Sequence, residues 1–436
     1  MAQARGNWSG SFGFILAAIG SAVGLGNIWR FSFVAGQNGG AAFVLVYLGC
    51  VLAVGIPVML AEFLIGRHTQ RNVVGSFQAL RPGSAWASTG WLPAAASFVV
   101  LSYYAVVGGW VLHYIVLSLT NSFAGQSAET ISGLFTDLTT SGLSQMGWHA
   151  VFMLATVVVV VRGVAGGLER GNKIMMPLLF VMLCGLLVYA VQTDGARAGI
   201  AFLLSPRWDQ LTARSVLEAM GQAFFSLSIA GGIMITYGSY LQKDTDLVRP
   251  AFYIAGGDTL VALLSGFMIF PLVFTFQLEP SAGPGLIFQT LPTAFAQLPA
   301  GQLLALVFFV LLSFAALSSA ISVLEVVVAY CIDEMGWSRS RATWLIGGVI
   351  FLCGIPSDLS AGFFGLADRI VTNYMLPTSG LLIAIFTGWV LSQTVRRQEF
   401  MVGGMSQRLY SGWLFLIRYV APIAIATILA QSLHLF

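Results

Sequence analysis

An all-α membrane protein of eleven spans is the fold class this sequence predicts, and three observations predict it. Only 8% of the 436 residues are charged and 57% are hydrophobic, against about 25% charged in a soluble domain. Apolar runs near the ~20 residues that a helical crossing requires recur from end to end. Two of those runs are interrupted by clusters of small residues, Gly20–Asn27 and Ser226–Gly232.

The runs fall at 11–34, 41–65, 88–120, 148–162, 174–192, 214–240, 251–276, 301–330, 342–356, 362–394 and 410–433. The first is too long, and too polar inside, for a cleaved signal peptide, so it is read as a mature span. With the N-terminus inside and the C-terminus outside, the inner segments collect Arg67, Arg71, Arg162, Arg339, Arg396 and further basic residues. The outer loops hold only Arg197, Arg207 and Arg214. That asymmetry follows the positive-inside rule, so the net charge of +3 reports topology and carries no sign of nucleic-acid binding.

Cys50, Cys184, Cys331 and Cys353 sit in or at the ends of spans, and no disulfide framework is expected. His68, His113, His149 and His434 show no partner pattern and read as interfacial or loop residues. The chain has no metal-ligand spacing, phosphate-binding loop or nucleophile–base arrangement, so an enzyme is not expected. The long polar stretches 121–147, 193–213 and 277–300 read as outer loops. The last carries Pro280, Pro284, Pro292 and Pro299, which suits a short re-entrant or capping element.

Glycine at the density of Gly20-Ser21-Ala22-Val23-Gly24-Leu25-Gly26-Asn27 weakens a helix by about 1 kcal/mol per glycine relative to alanine. In hydrocarbon a freed N–H or C=O cannot turn to water, so such a break survives only against protein or a polar cavity. Its bare carbonyls and amides suit a small ion or a zwitterion. Close helix packing alone does not account for Asn27 and Arg30. A second break, Phe224-Phe225-Ser226-Leu227-Ser228-Ile229-Ala230-Gly231-Gly232, lies five spans later. Paired interruptions point to the binding site of an inverted-repeat transporter. The expected repeats are 9–193 and 213–394, with 410–433 as an added helix and the two breaks meeting near the midplane.

Ionisable residues within spans are functional candidates by default: Arg30, Glu62, Asp258, Glu325, Asp368 and Arg369. Glu62 reads as an acceptor for N–H groups released by a helix break. Asp258, beside Gly256, Gly257 and Thr259, suits either a salt bridge or oxygen ligation of a hard cation. Ser318-Ser319, after Ala315-Ala316-Leu317, reads as helix-packing polarity that gains weight beside two breaks.

Taken in order, these residues resemble the neurotransmitter:sodium symporter family and its bacterial amino-acid transporters with the LeuT fold. The likeness covers nearly the whole chain. It rests on Trp8, Gly20–Asn27 with Arg30-Phe31, Asn38-Gly39-Gly40, Gly55-Ile56-Pro57, Glu62, Gly66-Arg67 and Tyr103-Tyr104. Gly221–Ser228, Thr236-Tyr237-Gly238-Ser239-Tyr240 and Ser318-Ser319 complete it.

The resemblance implies Na⁺-driven amino-acid uptake by alternating access. One Na⁺ would take the carbonyl of Ala22, the side chains of Asn27, Ser226 and Asp258, and the substrate carboxylate. A second would take carbonyls of Gly20, Val23 and Ala315 with the hydroxyls of Ser318 and Ser319. Both are all-oxygen sets, as a hard cation prefers. The substrate carboxylate would meet amides around Gly24 and Gly26 and the Tyr104 hydroxyl, with the amine on carbonyls near Ala22 and Phe225. Val100, Ser226, Ser228, Ala230, Gly231, Ser319 and Val323 would complete the pocket. Arg30 and Asp368 would form an outer gate above Tyr104 and Phe225. Arg5, Trp8 and Asp333 would hold the inner gate.

Three departures from the family pattern matter. Asp258 stands where chloride-dependent relatives carry Asn, and Ala262 where they carry Ser, so chloride-independent transport is expected. Gly231 replaces a Phe found in many relatives, which leaves room for a bulky apolar or aromatic side chain, while Ala230 replaces a Gly and takes some room back. Glu325 stands where Gln is expected. The reading is a Na⁺ symporter for a neutral, large hydrophobic amino acid, acting as a monomer in a bacterial cytoplasmic membrane. A small amino acid, another amine or osmolyte, or a non-transporting sensor on the same scaffold are the alternatives. A channel would need a continuous polar path, which paired gates around one site do not provide.

Overall fold

Backbone N–H and C=O groups must be paired in hydrocarbon, and this chain pairs them within helices; among the described residues no strand occurs. The structure is a computed structural model and describes residues 6–277 and 285–433. Among the described residues nine helices are long and apolar enough to cross a bilayer. In chain order they are span 2 (Ala41–Thr69), span 3 (Ala85–Leu119), span 4 (Gly142–Val161), span 5 (Val164–Ala190) and span 7 (Val248–Thr275). Span 8 (Gly301–Asp333), span 9 (Arg339–Leu359), span 10 (Ala361–Val390) and span 11 (Gln407–Ser432) follow. Ser11–Ala22 and Gly26–Gln37, bent by 57° at a short break, make span 1.

The sixth expected crossing is present only as two short helices, Ala213–Ser226 and Ile233–Gly238. Neither crosses alone, so a count of eleven depends on taking the pair as one broken span. Span 5 starts ten residues before its apolar run because Glu169, Arg170, Asn172 and Lys173 lie within the helix. There Glu169 accepts from the Ser9 amide at 2.8 Å and pairs with Lys173 at 2.6 Å.

In the most apolar stretch of span 7, 67% of residues are buried, against 22% for span 11. Span 7 therefore stands inside the bundle and span 11 on its lipid-facing rim. Span 8 makes its broadest contact with span 3, and the first half of span 1 packs among spans 5, 7 and 8. The proline-rich stretch is helical over Leu286–Ala296. Its Phe288 stacks on Phe135 of a loop helix at 5.1 Å, and its carbonyl accepts from the Tyr114 hydroxyl at 2.8 Å. Pro280 and Pro284 lie outside the described residues.

Both interruptions have identifiable backbone causes. Val23 leaves the helical region (φ −70°, ψ 99°), which ends the first half of span 1. In the second break Ser228, Ala230 and Gly232 take positive φ of 50°, 68° and 77°. Only glycine does so without steric strain. The fully buried Glu62 of span 2 steadies this segment: the Ala230 amide donates to its Oε1 at 2.5 Å. Removing the acceptor leaves a buried N–H orphaned, which costs about 1–3 kcal/mol. Glu62→Ala is therefore expected to lower the thermal midpoint in detergent clearly and Glu62→Gln much less. Equal midpoints for Glu62→Ala and the parent would contradict the role.

Candidate functional site

The two helix breaks lie against each other. The Ser228 hydroxyl donates to the Ser21 carbonyl at 2.7 Å, and the Asn27 amide nitrogen donates to Ser226 Oγ at 2.9 Å. Span 8 reaches the same point, with Ser319 Oγ donating to the Ser21 carbonyl at 3.1 Å. Between them is a cavity of about 80 Å³.

Its wall contains Ala22, Gly24, Gly26, Asn27, Val100, Tyr104, Phe225, Ser226, Ser228, Gly231, Ser319 and Val323. Glycine is required at two of these places by proximity. A Cβ on Gly24 would stand 2.8 Å from Ser319 Oγ, and one on Gly26 would stand 2.6 Å from the Phe225 ring. A Cβ at Gly231 would meet nothing closer than Ser97 Oγ at 3.4 Å. Among the described residues the buried Tyr104 hydroxyl lines the cavity beside Ser319 and Leu25 without a hydrogen bond of ordinary geometry.

Ala230 stands apart from this wall. Its methyl faces span 10, 3.3 Å from where a Cβ on Gly380 would lie, and its carbonyl accepts from Ser379 at 2.6 Å. The expected narrowing of the pocket by Ala230 is therefore absent, because the positive φ turns its side chain outward. Ser21, Leu25, Ser97, Phe224, Ile229, Ile233 and Leu376 also line the cavity and were missed. They are mostly ordinary apolar residues that nothing in a single sequence distinguishes.

One end of the site is rich in oxygen. Asp258 is fully buried, and its carboxylate accepts from Asn27 Nδ2 at 2.6 Å and Ser226 Oγ at 2.7 Å, with Tyr47 Oη at 3.4 Å. Among the described residues it has no basic partner. The second expected oxygen set is less drawn together. Ser318 Oγ donates to the Ala315 carbonyl at 3.0 Å, and Gly20, Val23, Ala315 and Ser318 are buried on the span 1 and span 8 faces that meet at Ser21.

A second cavity of about 700 Å³ opens above the first. Leu25, Tyr104 and Phe225 line both cavities and so form the partition between them. Arg30 and Asp368 both line the upper one without forming an ion pair. The Arg30 guanidinium instead lies 5.0 Å over the Phe225 ring, and Asp368 accepts from Thr372 at 3.2 Å.

At the other end of span 1, Trp8 is buried, donating through Nε1 to the Tyr237 carbonyl at 3.0 Å. Asp333 accepts from the Asn72 amide at 2.9 Å, and Arg5 lies outside the described residues. Glu325, fully buried, takes two 2.8 Å bonds from Arg339 and one of 2.6 Å from the Tyr240 hydroxyl. Its role is thus to tie the end of Ile233–Gly238 to spans 8 and 9. His149 is also buried, paired with Asp358 at 2.9 Å between spans 4 and 9, and is not a loop residue.

A helical bundle with a small central chamber, a broad vestibule over it and a packed plug beneath defines a carrier rather than a pore. The chain belongs to the sodium:neurotransmitter symporter family, whose model matches residues 5–133 and 127–436. It is 40% identical over 430 residues to the uncharacterized sodium-dependent transporter YhdH of Bacillus subtilis (strain 168), covering 96% of this chain and 95% of the relative. An uncharacterized sodium-dependent transporter of Haemophilus influenzae is 33% identical over 455 residues, covering 98% of each. The crystal structure of MhsT in complex with L-phenylalanine matches with TM-score 0.91 and 44% identity, covering 98% of this chain and 100% of that one. This is therefore a sodium-dependent, multi-pass membrane transporter with the LeuT fold, and not an enzyme.

Proposed function

We propose that this transporter imports a neutral amino acid with a large hydrophobic or aromatic side chain, coupled to Na⁺ and independent of chloride. The observation that carries the reading is Asp258, a fully buried carboxylate whose polar partners among the described residues are Asn27, Ser226 and Tyr47, the first two of which line the central cavity. Buried charges require an opposite charge, and a small hard cation among oxygens supplies it.

On this reading Na⁺, as co-substrate, takes Ala22, Asn27, Ser226 and Asp258 at one site and Gly20, Val23, Ala315, Ser318 and Ser319 at another. The fixed charge of Asp258 stands in for an anion, so chloride is not needed. The buried Tyr104 hydroxyl and the close approach at Gly24 suit the substrate carboxylate. The mostly apolar wall of Val100, Ile229, Ile233, Val323 and Leu376 suits an apolar side chain, and a large one needs the chamber of about 80 Å³ to widen at the space beside Gly231. The MhsT relative solved with L-phenylalanine supports the same substrate class.

Alternating access follows from the partition and the plug. Substrate enters the vestibule, Phe225 and Tyr104 close over it, and Arg30 leaves Phe225 to pair with Asp368. Release needs Trp8 to leave the Tyr237 carbonyl. Residues 9–193 and 213–394 act as inverted repeats and 410–433 as an added helix. The protein works as a monomer in the bacterial cytoplasmic membrane, N-terminus inside and C-terminus outside. Two Na⁺ moving inward at −100 mV release about 4.6 kcal/mol, enough for roughly thousand-fold accumulation.

Binding of an amino-acid panel to purified protein in Na⁺ and in K⁺, repeated with gluconate replacing chloride, tests this. Na⁺-dependent binding of Phe, Trp, Tyr, Leu or Met, unchanged in gluconate, is the expected result. Equal binding in K⁺ would defeat the coupling assignment, and preference for Gly or Ala would defeat the pocket argument.

A further inference from the structure

Three arginines from three separate segments converge on the last turn of span 10. Arg396, on the short helix Gln393–Met401, donates to the carbonyls of Thr387 at 2.9 Å and Gly388 at 2.5 Å. Arg418 of span 11 donates through Nε to the same Gly388 carbonyl at 2.6 Å. Arg81, between Val73–Leu80 and span 3, donates to the Val390 carbonyl at 2.5 Å.

The carbonyl end of a helix carries only about half a negative charge, which leaves the cluster strongly positive. Among the described residues none of the three forms an ion pair with a carboxylate. Glu399, the acid on the same short helix, is committed to Arg67 at 2.6 Å and His68 at 3.0 Å. Burial and the neighbouring Arg418 both lower the affinity of Arg396 for its proton, burial the more, and Arg396 Nε has no partner although the residue is 3% exposed. Arg397 on the same short helix and Arg408 at the start of span 11 add two exposed cations.

The cluster is bordered by an aromatic pair. Trp389 and Tyr419, 53% and 44% exposed, meet edge to face at 5.5 Å. The Arg418 guanidinium lies 5.2 Å over the Trp389 ring. Trp389 stands in the last turn of span 10, and an exposed Trp at a helix end marks the level of the lipid headgroups; Tyr419 packs against it from midway along span 11.

We propose that this cluster is a binding site for an anionic phospholipid. The phosphate is held by the free N–H groups of Arg81 and Arg418, with Trp389 at the headgroup–acyl boundary and Tyr419 against its ring on the lipid-facing surface. Basic pockets between membrane helices recognise anionic headgroups in this way. A lipid suits the site better than a free phosphate because the cations adjoin an aromatic, lipid-facing surface. With the N-terminus inside, as proposed above, the cluster faces the inner leaflet; the site itself does not rest on that orientation.

Native mass spectrometry of the delipidated full chain in detergent tests the proposal. Phosphatidylglycerol and phosphatidylcholine of identical acyl chains are titrated, with and without inorganic phosphate. Each arginine is expected to contribute about fivefold, so phosphatidylglycerol should bind more than tenfold tighter than phosphatidylcholine. The double variant Arg81→Gln/Arg418→Gln should erase that preference. Arg81→Gln alone, exposed and joined to one carbonyl, should lower it about fivefold and serves if Arg418→Gln misfolds. Na⁺-dependent amino-acid binding, measured in parallel, reports on the transport site separately. Equal affinity for the two lipids, an unchanged preference in both variants, or displacement of lipid by millimolar phosphate would each overturn the proposal.

Discussion

Asp258→Asn is expected to weaken Na⁺-dependent substrate binding by roughly ten- to hundredfold and to make what remains respond to chloride. The carboxylate accepts from Asn27 and Ser226 and has no basic partner among the described residues, so its charge is available to a cation in the cluster. A hydrogen bond or ligand contact to a charged group is worth about 1.5–3 kcal/mol, and each 1.4 kcal/mol is tenfold. Asn keeps the shape and one acceptor oxygen, so a small change in thermal midpoint accompanies a large change in Na⁺ dependence. Titrating Na⁺ at saturating substrate, in chloride and in gluconate, measures both effects. An unchanged Na⁺ midpoint in the Asn variant would mean that the carboxylate serves packing alone.

Gly231→Phe is expected to convert the substrate range. Residue 231 has ordinary backbone geometry, and its Cβ would find Ser97 Oγ at 3.4 Å and Leu376 at 3.8 Å. A side chain is therefore tolerated there, and a ring fills the cavity instead of breaking the fold. Even one methylene too many in an apolar pocket costs about ten- to two-hundredfold. Binding of Phe and Trp should fall at least about a hundredfold, while binding of Ala or Gly stays within a few-fold. Competition against a labelled amino acid measures the two ends of the series, and undiminished Trp binding would show that Gly231 does not border the side chain.

The sequence reveals the spans because hydrocarbon imposes length and apolarity, and it reveals the breaks because glycine and serine inside an apolar run have few other uses. Asn27, Ser226 and Asp258 are legible for the same reason: polar groups are too costly to place there without a partner. The apolar walls are not legible. Ser97, Ile233 and Leu376 look like any helix-packing residues until helices 3, 6 and 10 are brought together. Ala230 misleads because its direction depends on a positive φ, which composition does not disclose. Pairings are equally hidden. Arg30 lies on Phe225 rather than on Asp368, and His149 finds Asp358 209 positions away. Arg418 lies well inside the run 410–433, and that it is satisfied by the Gly388 carbonyl of another span is not disclosed by the sequence.

Uptake of labelled phenylalanine or tryptophan into proteoliposomes, driven by an inward Na⁺ gradient with chloride absent on both sides, tests the central claim most directly. Accumulation well above the external concentration, collapsing when the Na⁺ gradient is dissipated, is the expected result. Equilibration without accumulation, or uptake that requires chloride, would contradict it.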